Sequence, residues 1–341
     1  MHIGKGEPER ATKHFSTKFI FFQISSFRMV KRQKLKGALL GYAIGDTLGK
    51  GTEFMEVPEI RRRYPSGLRR YSDIFQDAHR SQWEPGEWTN DTETMLNMAK
   101  AIISDNGALL VRHQAKVLHE WYQGNPVDVE ANVRWVLSHP GYLEHPLETC
   151  ARVWDEMEHQ DPSNEALGRS ILAALAPGNP ETNARTTCLL TNSDTRCEGT
   201  AAILGRIAHD LLHHDKMTPR TNIMEIAVKI DARIIPYLKA AFSGKLSDFE
   251  LDDPCTLSDT RKAAGSALWA LYHCKDAADA LYKLVDAGGD SDTNAALGVL
   301  LVSLRDGGDL NMEEHLMTEL TGYDEIHHVA DALADAWGFE R

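Results

Sequence analysis

The sequence predicts an all-α, compact single-domain protein, and three observations carry that expectation. Apolar residues recur at helical spacing in segment after segment between Lys34 and Leu304. Strict apolar/polar alternation over strand lengths is nearly absent, which argues against a large sheet. No linker separates two compositions, so the 341 residues read as one domain, although that length would suit two of average size.

Residues 1–30 read as a disordered N-terminal extension, and residues 31–341 as the domain. No Asp or Glu occurs between Glu9 and Asp46, while eight Lys/Arg do. That composition would also suit an organellar presequence. Leu35, Ala38, Leu39, Tyr42 and Ala43 predict the first helix, closing at Gly45. Arg61 to Glu87 reads as a long loop with room for a short hairpin, because Pro-Ser-Gly and Glu-Pro-Gly interrupt it. Met95, Met98, Ala99 and Ile102 share one face of a helix over 94–103. Residues 166–176, 198–213 and 222–242 are Ala/Leu/Ile-rich with the same period. A second loop covers 247–259. Residues 263–285 form a long helical stretch, divided near Lys275, and 293–304 form another helix.

Composition bounds the function. The balance of 37 Lys+Arg against 50 Asp+Glu leaves a formal charge of −13, which repels phosphate backbones and argues against general nucleic-acid binding. No apolar run approaches the ~20 residues needed to cross a bilayer, so no membrane span is expected. Cys150, Cys188, Cys197, Cys255 and Cys274 are odd in number and lack C-x-x-C spacing. They read as reduced, partly buried thiols of a cytoplasmic protein.

Two oxygen-rich turns lead into apolar helices: Trp88-Thr89-Asn90-Asp91-Thr92-Glu93 and Gly288-Gly289-Asp290-Ser291-Asp292-Thr293-Asn294. Either alone reads as a helix cap, since Ser, Thr, Asp and Asn are favoured there and acids suit the dipole. A cap needs one side-chain oxygen, however, and Asp290, Asp292 and Thr293 offer three within four residues. Carboxylates at i and i+2 repel unless something positive lies between them, and hard divalent cations take such oxygen ligands. If the two turns face each other, they suit two ions that polarise a substrate oxygen or orient water. Elsewhere, His209 and His213 share a helix face but spacing indicates no third zinc ligand. Trp83, Trp88, Trp121 and Trp135 read by default as core aromatics, with stacking on adenine as the alternative. Arg61-Arg62-Arg63 with Arg69-Arg70 reads as a solvated basic island.

At these residues the chain resembles the ADP-ribosylglycohydrolase family. Lys36-Gly37-Ala38-Leu39-Leu40-Gly41-Tyr42-Ala43-Ile44-Gly45-Asp46, with Glu53-Phe54, resembles its opening helix and acid. Trp88 to Thr92 resembles its Trp-Thr-Asp-Asp-Thr motif, and Thr191 to Cys197 a central Thr-His-x-Asp-Pro-Arg segment. Gly288 to Asn294 resembles the closing Gly-Gly-Asp-x-Asp-Thr-Asn signature. The resemblance implies two divalent cations, Mg²⁺ or Mn²⁺, and hydrolysis of the bond from C1″ of ADP-ribose to an acceptor. The implied partner is an ADP-ribosylated protein, modified on arginine or serine, or another ADP-ribosylated acceptor. Carried over by position, Thr89, Asn90, Asp91, Asp290, Asp292 and Thr293 are the expected metal ligands. Glu53, Asp91, Asp290 and Asp292 are the expected catalytic residues, and Glu53, Asn164, Asn192, Asp194, Gly288 and Gly289 the expected substrate contacts. Asn90 replaces the first aspartate of the usual pair: its amide oxygen can ligate, but one negative charge is lost. Asn192 stands where the family has His, and Thr195 where Pro is common. These departures leave a second reading open, a catalytically impaired relative that binds ADP-ribose or serves structurally.

Overall fold

The structure is a computed structural model that describes residues 11–158 and 162–339, with side chains described from Val30 onward. Residues 1–10 of the expected extension, and the side chains of residues 11–29, lie outside the described residues. Sixteen α-helices follow one another among the described residues. They are α1 (Ala11–Gly49), α2 (Val57–Arg63), α3 (Asn90–Ser104), α4 (Val111–Gln123), α5 (Ala131–Ser138) and α6 (Pro146–Glu156). Next come α7 (Leu167–Ala174), α8 (Pro180–Cys188), α9 (Thr195–His214), α10 (Arg220–Ile230) and α11 (Ile235–Ser243). The last are α12 (Thr260–His273), α13 (Ala277–Val285), α14 (Ser291–Arg305), α15 (Glu314–Thr318) and α16 (Tyr323–Ala336). No strand forms among the described residues; an isolated antiparallel bridge joins Ser163 to Asp259. The all-α expectation holds.

Helix α14 is the centre of the core. Leu297, Val299, Leu300, Leu301, Val302 and Leu304 are fully buried on all its faces, each side chain contributing about 1.5–3 kcal/mol of apolar burial. Helices α1, α12 and α13 pack directly on it. A stripe of glycines lets α1 come close. Gly37, Gly41, Gly45 and Gly49 recur every four residues, and a Cβ on each would lie 2.2, 2.8, 2.6 and 2.4 Å from Gly308, Val299, Ala295 and Ser291. Gly45 therefore does not close the first helix, as its position after an apolar run suggests. It is a contact position inside a helix that continues to Gly49. The close approach places Asp46 of α1 beside the start of α14.

Other boundaries differ for identifiable reasons. The stretch 222–242 is two helices separated at Asp231, whose carboxylate accepts from the Arg233 N–H (2.9 Å) and the Thr195 hydroxyl (2.7 Å). Pro236, at the start of α11, supplies no N–H to continue the ladder. Residues 263–285 divide as expected, with the Asp276 carboxylate capping α13 through the Asp279 N–H at 2.9 Å. Residues 61–87 contain no hairpin. The end of α2 and two 3₁₀ turns, Tyr71–Asp73 and Arg80–Gln82, occupy them. Arg80 fastens this loop to the turn after α1: it is buried, pairs with Asp77, and donates to the Gly51 carbonyl (3.1 Å) and the Glu53 carbonyl. All five cysteines are unpaired, four buried and Cys255 exposed. Among the described residues no helix is long and apolar enough to cross a membrane.

Candidate metal centre

The N-termini of α3 and α14 meet at the C-terminal end of α1. Asp46 joins them. It is fully buried, and its carboxylate accepts from the Thr89 N–H (3.1 Å) and the Thr92 N–H (3.0 Å), satisfying donors that the first turn of α3 leaves open. Thr89 is the N-cap, its hydroxyl accepting from the Asp91 N–H at 3.4 Å. Across the gap the Thr293 hydroxyl donates to Asp91 Oδ2 at 2.7 Å, so the two turns are in direct contact. The amide of Asn164, from the loop before α7, donates to Asp290 Oδ2 at 2.7 Å.

Glu53 arrives from the turn after α1. That turn is tied to the α14 entry by two backbone bonds, Phe54 N–H to the Gly289 carbonyl (2.7 Å) and Gly289 N–H to the Met55 carbonyl (3.1 Å). Gly288 and Gly289 both adopt positive φ, 68° and 70°, where a side chain would be strained. Their missing side chains are also needed for packing: a Cβ would lie 2.3 Å from the Met55 carbonyl and 1.9 Å from the Leu251 carbonyl. Outside the turn, His79 Nε2 lies 2.8 Å from Glu53 Oε2 and holds the carboxylate in place.

The result is a cavity of about 110 Å³ lined by Glu53, Phe54, Asn90, Asp91, Asp128, Glu130, Asn164, Glu165, Ser258, Asp290, Asp292 and Thr293. Seven of these are carboxylates, and no lysine or arginine is among them. One oxygen from each of Glu53, Asp290 and Asp292 lies within 4.8 Å of the others. Burial drives the acids upward: Glu53 and Glu165 are each pushed up to about 7, and Asp91, Glu130 and Asp292 stand well above the usual carboxylate range. The His79 hydrogen bond opposes the rise at Glu53, while neighbouring carboxylates reinforce it at Asp91, Glu130 and Asp292.

A divalent cation fits this donor set. The lining offers hard oxygen ligands, and Asn164 Oδ1 and Glu165 Oε1 are buried with no hydrogen-bond partner among the described residues. Of the sequence-derived ligands, Asn90, Asp91, Asp290, Asp292 and Thr293 line the cavity; Thr89 does not, its hydroxyl serving as the cap. Asn164 also lines it. Asn192 and Asp194 do not: the Asn192 amide donates to the Ser163 carbonyl (3.3 Å), and Asp194 caps α9 and pairs with Arg196. Sequence reasoning missed Asp128, Glu130, Glu165 and His79 as site residues. Val127-Asp128-Val129-Glu130, an alternation between two helices, was the available signal for the first pair, and Glu165 sits beside Asn164.

Two larger clefts adjoin the cavity. One, of about 280 Å³, shares Asn90 and Asp128 with it and adds Trp83, Glu87, Trp88, Glu93 and Val127. The other, of about 270 Å³, shares Glu130 and Ser258 and adds Trp154 and Met157. The tryptophans therefore divide. Trp121 is buried in the core, Trp83 is buried but lines the first cleft beside half-buried Trp88, and Trp135 is exposed, contrary to its expected core place.

The ADP-ribosylglycohydrolase family model matches residues 28–340. The chain belongs to the ADP-ribosylglycohydrolase family. It is 26% identical over 286 residues to an ADP-ribosyl-dinitrogen-reductase glycohydrolase of Rhodospirillum rubrum, covering 80% of this chain and 85% of that one. It is 24% identical over 314 residues to an ADP-ribosylarginine hydrolase of Serratia proteamaculans, covering 88% and 78%. A solved structure titled ADP-ribosylglycohydrolase-related protein complex superposes with a TM-score of 0.69 at 21% identity, covering 90% of this chain and 98% of that one. At that identity the likeness is one of fold.

Proposed function

We propose that this ADP-ribosylglycohydrolase removes ADP-ribose from a modified acceptor by metal-dependent cleavage of the C1″ glycosidic bond. The observation that carries the reading is the buried cavity of seven carboxylates without a basic lining residue. Asp91, Asp290, Asp292 and Thr293, with the Asn90 amide oxygen, would hold Mg²⁺ or Mn²⁺, with Glu53 beside them. When bound, the cations would grip ribose hydroxyls and activate water for attack.

The chain's own groups account for the rest. Breaking the C1″ bond builds oxocarbenium-like positive charge, which the surrounding carboxylates stabilise in a site shielded from bulk water. Glu53, which burial lifts to about 7 in the metal-free cavity, suits proton exchange with the attacking water or the leaving group. His79 orients it. Acceptor choice belongs to the 280 Å³ cleft, where Glu87, Glu93 and Asp128 accompany Trp83 and Trp88. Acids beside aromatic faces favour a planar cation, so we infer an arginine-linked substrate over a serine-linked one. The apolar surfaces of Trp154 and Met157 on the opposite cleft suit the adenine. The unpaired cysteines fit the reducing, cytoplasmic setting inferred from the sequence.

One observation favours the impaired relative: Asn90 lines the cavity and removes a charge there. A substrate panel separates the readings. The protein is incubated with Mg²⁺ and, separately, arginine-, serine- and nucleic-acid-linked ADP-ribose. EDTA-sensitive release from the arginine substrate supports the hydrolase; tight ADP-ribose binding with no release from any substrate rejects it in favour of a binder.

A further inference from the structure

A second cluster of metal-ligating side chains lies in the last two turns of α9, which contributes nothing to the carboxylate cavity. Sequence spacing pairs His209 with His213 and indicates no third ligand. The fold regroups them. Ligand atoms of His209, Asp210 and His214 lie within 4.8 Å of one another. His213 is engaged elsewhere: its Nε2–H donates to the Leu175 carbonyl (2.9 Å), and its Nδ1 faces Lys31 Nζ at 3.5 Å.

We propose that His209, Asp210 and His214 form a site for a transition-metal dication of the zinc type, separate in place and chemistry from the carboxylate cavity. Two imidazoles and one carboxylate are a recurrent three-ligand set for zinc, with water completing the shell. The three side chains also have ligand capacity to spare. His209 Nδ1 is buried with no hydrogen-bond partner among the described residues. Asp210 accepts from Arg206 and Thr218, but both bonds fall on Oδ2, leaving Oδ1 unpaired among the described residues. His214 is exposed, and none of the hydrogen bonds described occupies its ring. Zinc bonds of about 2.0–2.2 Å place two ligands of one ion about 3.4 Å apart, so binding requires the cluster to draw in from its observed spread of up to 4.8 Å.

The backbone adds to the attraction. The C-terminal turn of a 20-residue helix carries the negative end of its dipole, which favours a cation. Softer nitrogen donors select zinc-type ions over Mg²⁺, whereas the oxygen-only cavity suits Mg²⁺. The site also lies where three segments meet. His213 packs on Phe339 with ring centroids 5.7 Å apart, and Lys31 of α1 sits over the same ring. A bound ion would staple the end of α9 that holds α1 and the C-terminal segment.

The test is calorimetric titration of Zn²⁺ into the full untagged chain in excess Mg²⁺, repeated with the His214→Gln, His213→Gln and Asp292→Ala variants. The expected result is one equivalent of Zn²⁺ bound by the wild type and at least tenfold weaker in His214→Gln. His213→Gln and Asp292→Ala should retain it. Because His214 is exposed, its replacement leaves the fold intact, and the melting temperature of that variant should no longer rise with Zn²⁺. Absence of Zn²⁺ binding under Mg²⁺, undiminished binding by His214→Gln, or loss in Asp292→Ala would each overturn the assignment.

Discussion

Asn90→Asp restores one carboxylate to a cavity that already holds seven, and its consequence depends on whether cations belong there. The Asn90 side chain hydrogen-bonds the Glu165 carboxylate, so a carboxylate in its place meets a like charge at a separation on the order of 5 Å. At an effective dielectric of about 20, each fully ionised neighbour costs about 3 kcal/mol. The neighbours titrate upward and are only partly ionised, which reduces the net penalty to about 1–3 kcal/mol in the metal-free protein. With Mg²⁺ present the sign reverses. An added charged ligand should tighten Mg²⁺ by about ten- to a hundredfold, or about 1.4–2.8 kcal/mol. Urea unfolding in EDTA and in saturating Mg²⁺ reads both effects. Asn90→Asp should be less stable than wild type in EDTA, and Mg²⁺ should stabilise it more than it stabilises wild type. An equal change in stability under the two conditions would refute the reasoning, because a purely structural effect of residue 90 ignores the ion.

Gly45→Ala tests the glycine stripe. In an isolated helix alanine is favoured by about 1 kcal/mol, but here its Cβ would meet α14 backbone at 2.6 Å, so the variant should be destabilised by about 1–3 kcal/mol. Thermal or urea unfolding checks it, and a stabilised variant would contradict the packing account. The pH dependence has a defined sign. Glu53 and Glu165 titrate near 7 when folded, above the ordinary 4.5, so their contribution favours the fold fully below pH 4.5 and is lost as pH rises through 7. Protons and cations compete for the same oxygens, so Mg²⁺ should bind at least tenfold tighter at pH 8 than at pH 6 by calorimetry. A flat profile would contradict their placement in the site.

Periodicity made the helical architecture legible, because apolar faces repeat wherever a helix packs on the core. It misread places where tertiary contact overrides local signals. Gly45 resembles a stop and is instead a close-contact position; residues 222–242 look continuous and break where Asp231 binds neighbouring groups. The two oxygen-rich turns were visible as motifs, but their meeting through Thr293 and Asp91 depends on how α1 brings α3 and α14 together. Asp128, Glu130 and Glu165 leave only a faint trace in the sequence, the 127–130 alternation, since loop acids are ordinarily solvated and only packing turns these inward. The motif places Asn192 among the substrate contacts, whereas its side chain braces the Ser163 loop beside the cavity.

The central claim is that the carboxylate cavity carries the cations that hydrolysis requires. Parallel titration with Mn²⁺, following bound metal by electron paramagnetic resonance and ADP-ribose release from an arginine-modified peptide, tests it most directly. The account predicts that release rises with metal occupancy and that Asp292→Ala loses both. Release that persists in EDTA, or Asp292→Ala that keeps full turnover, would contradict it.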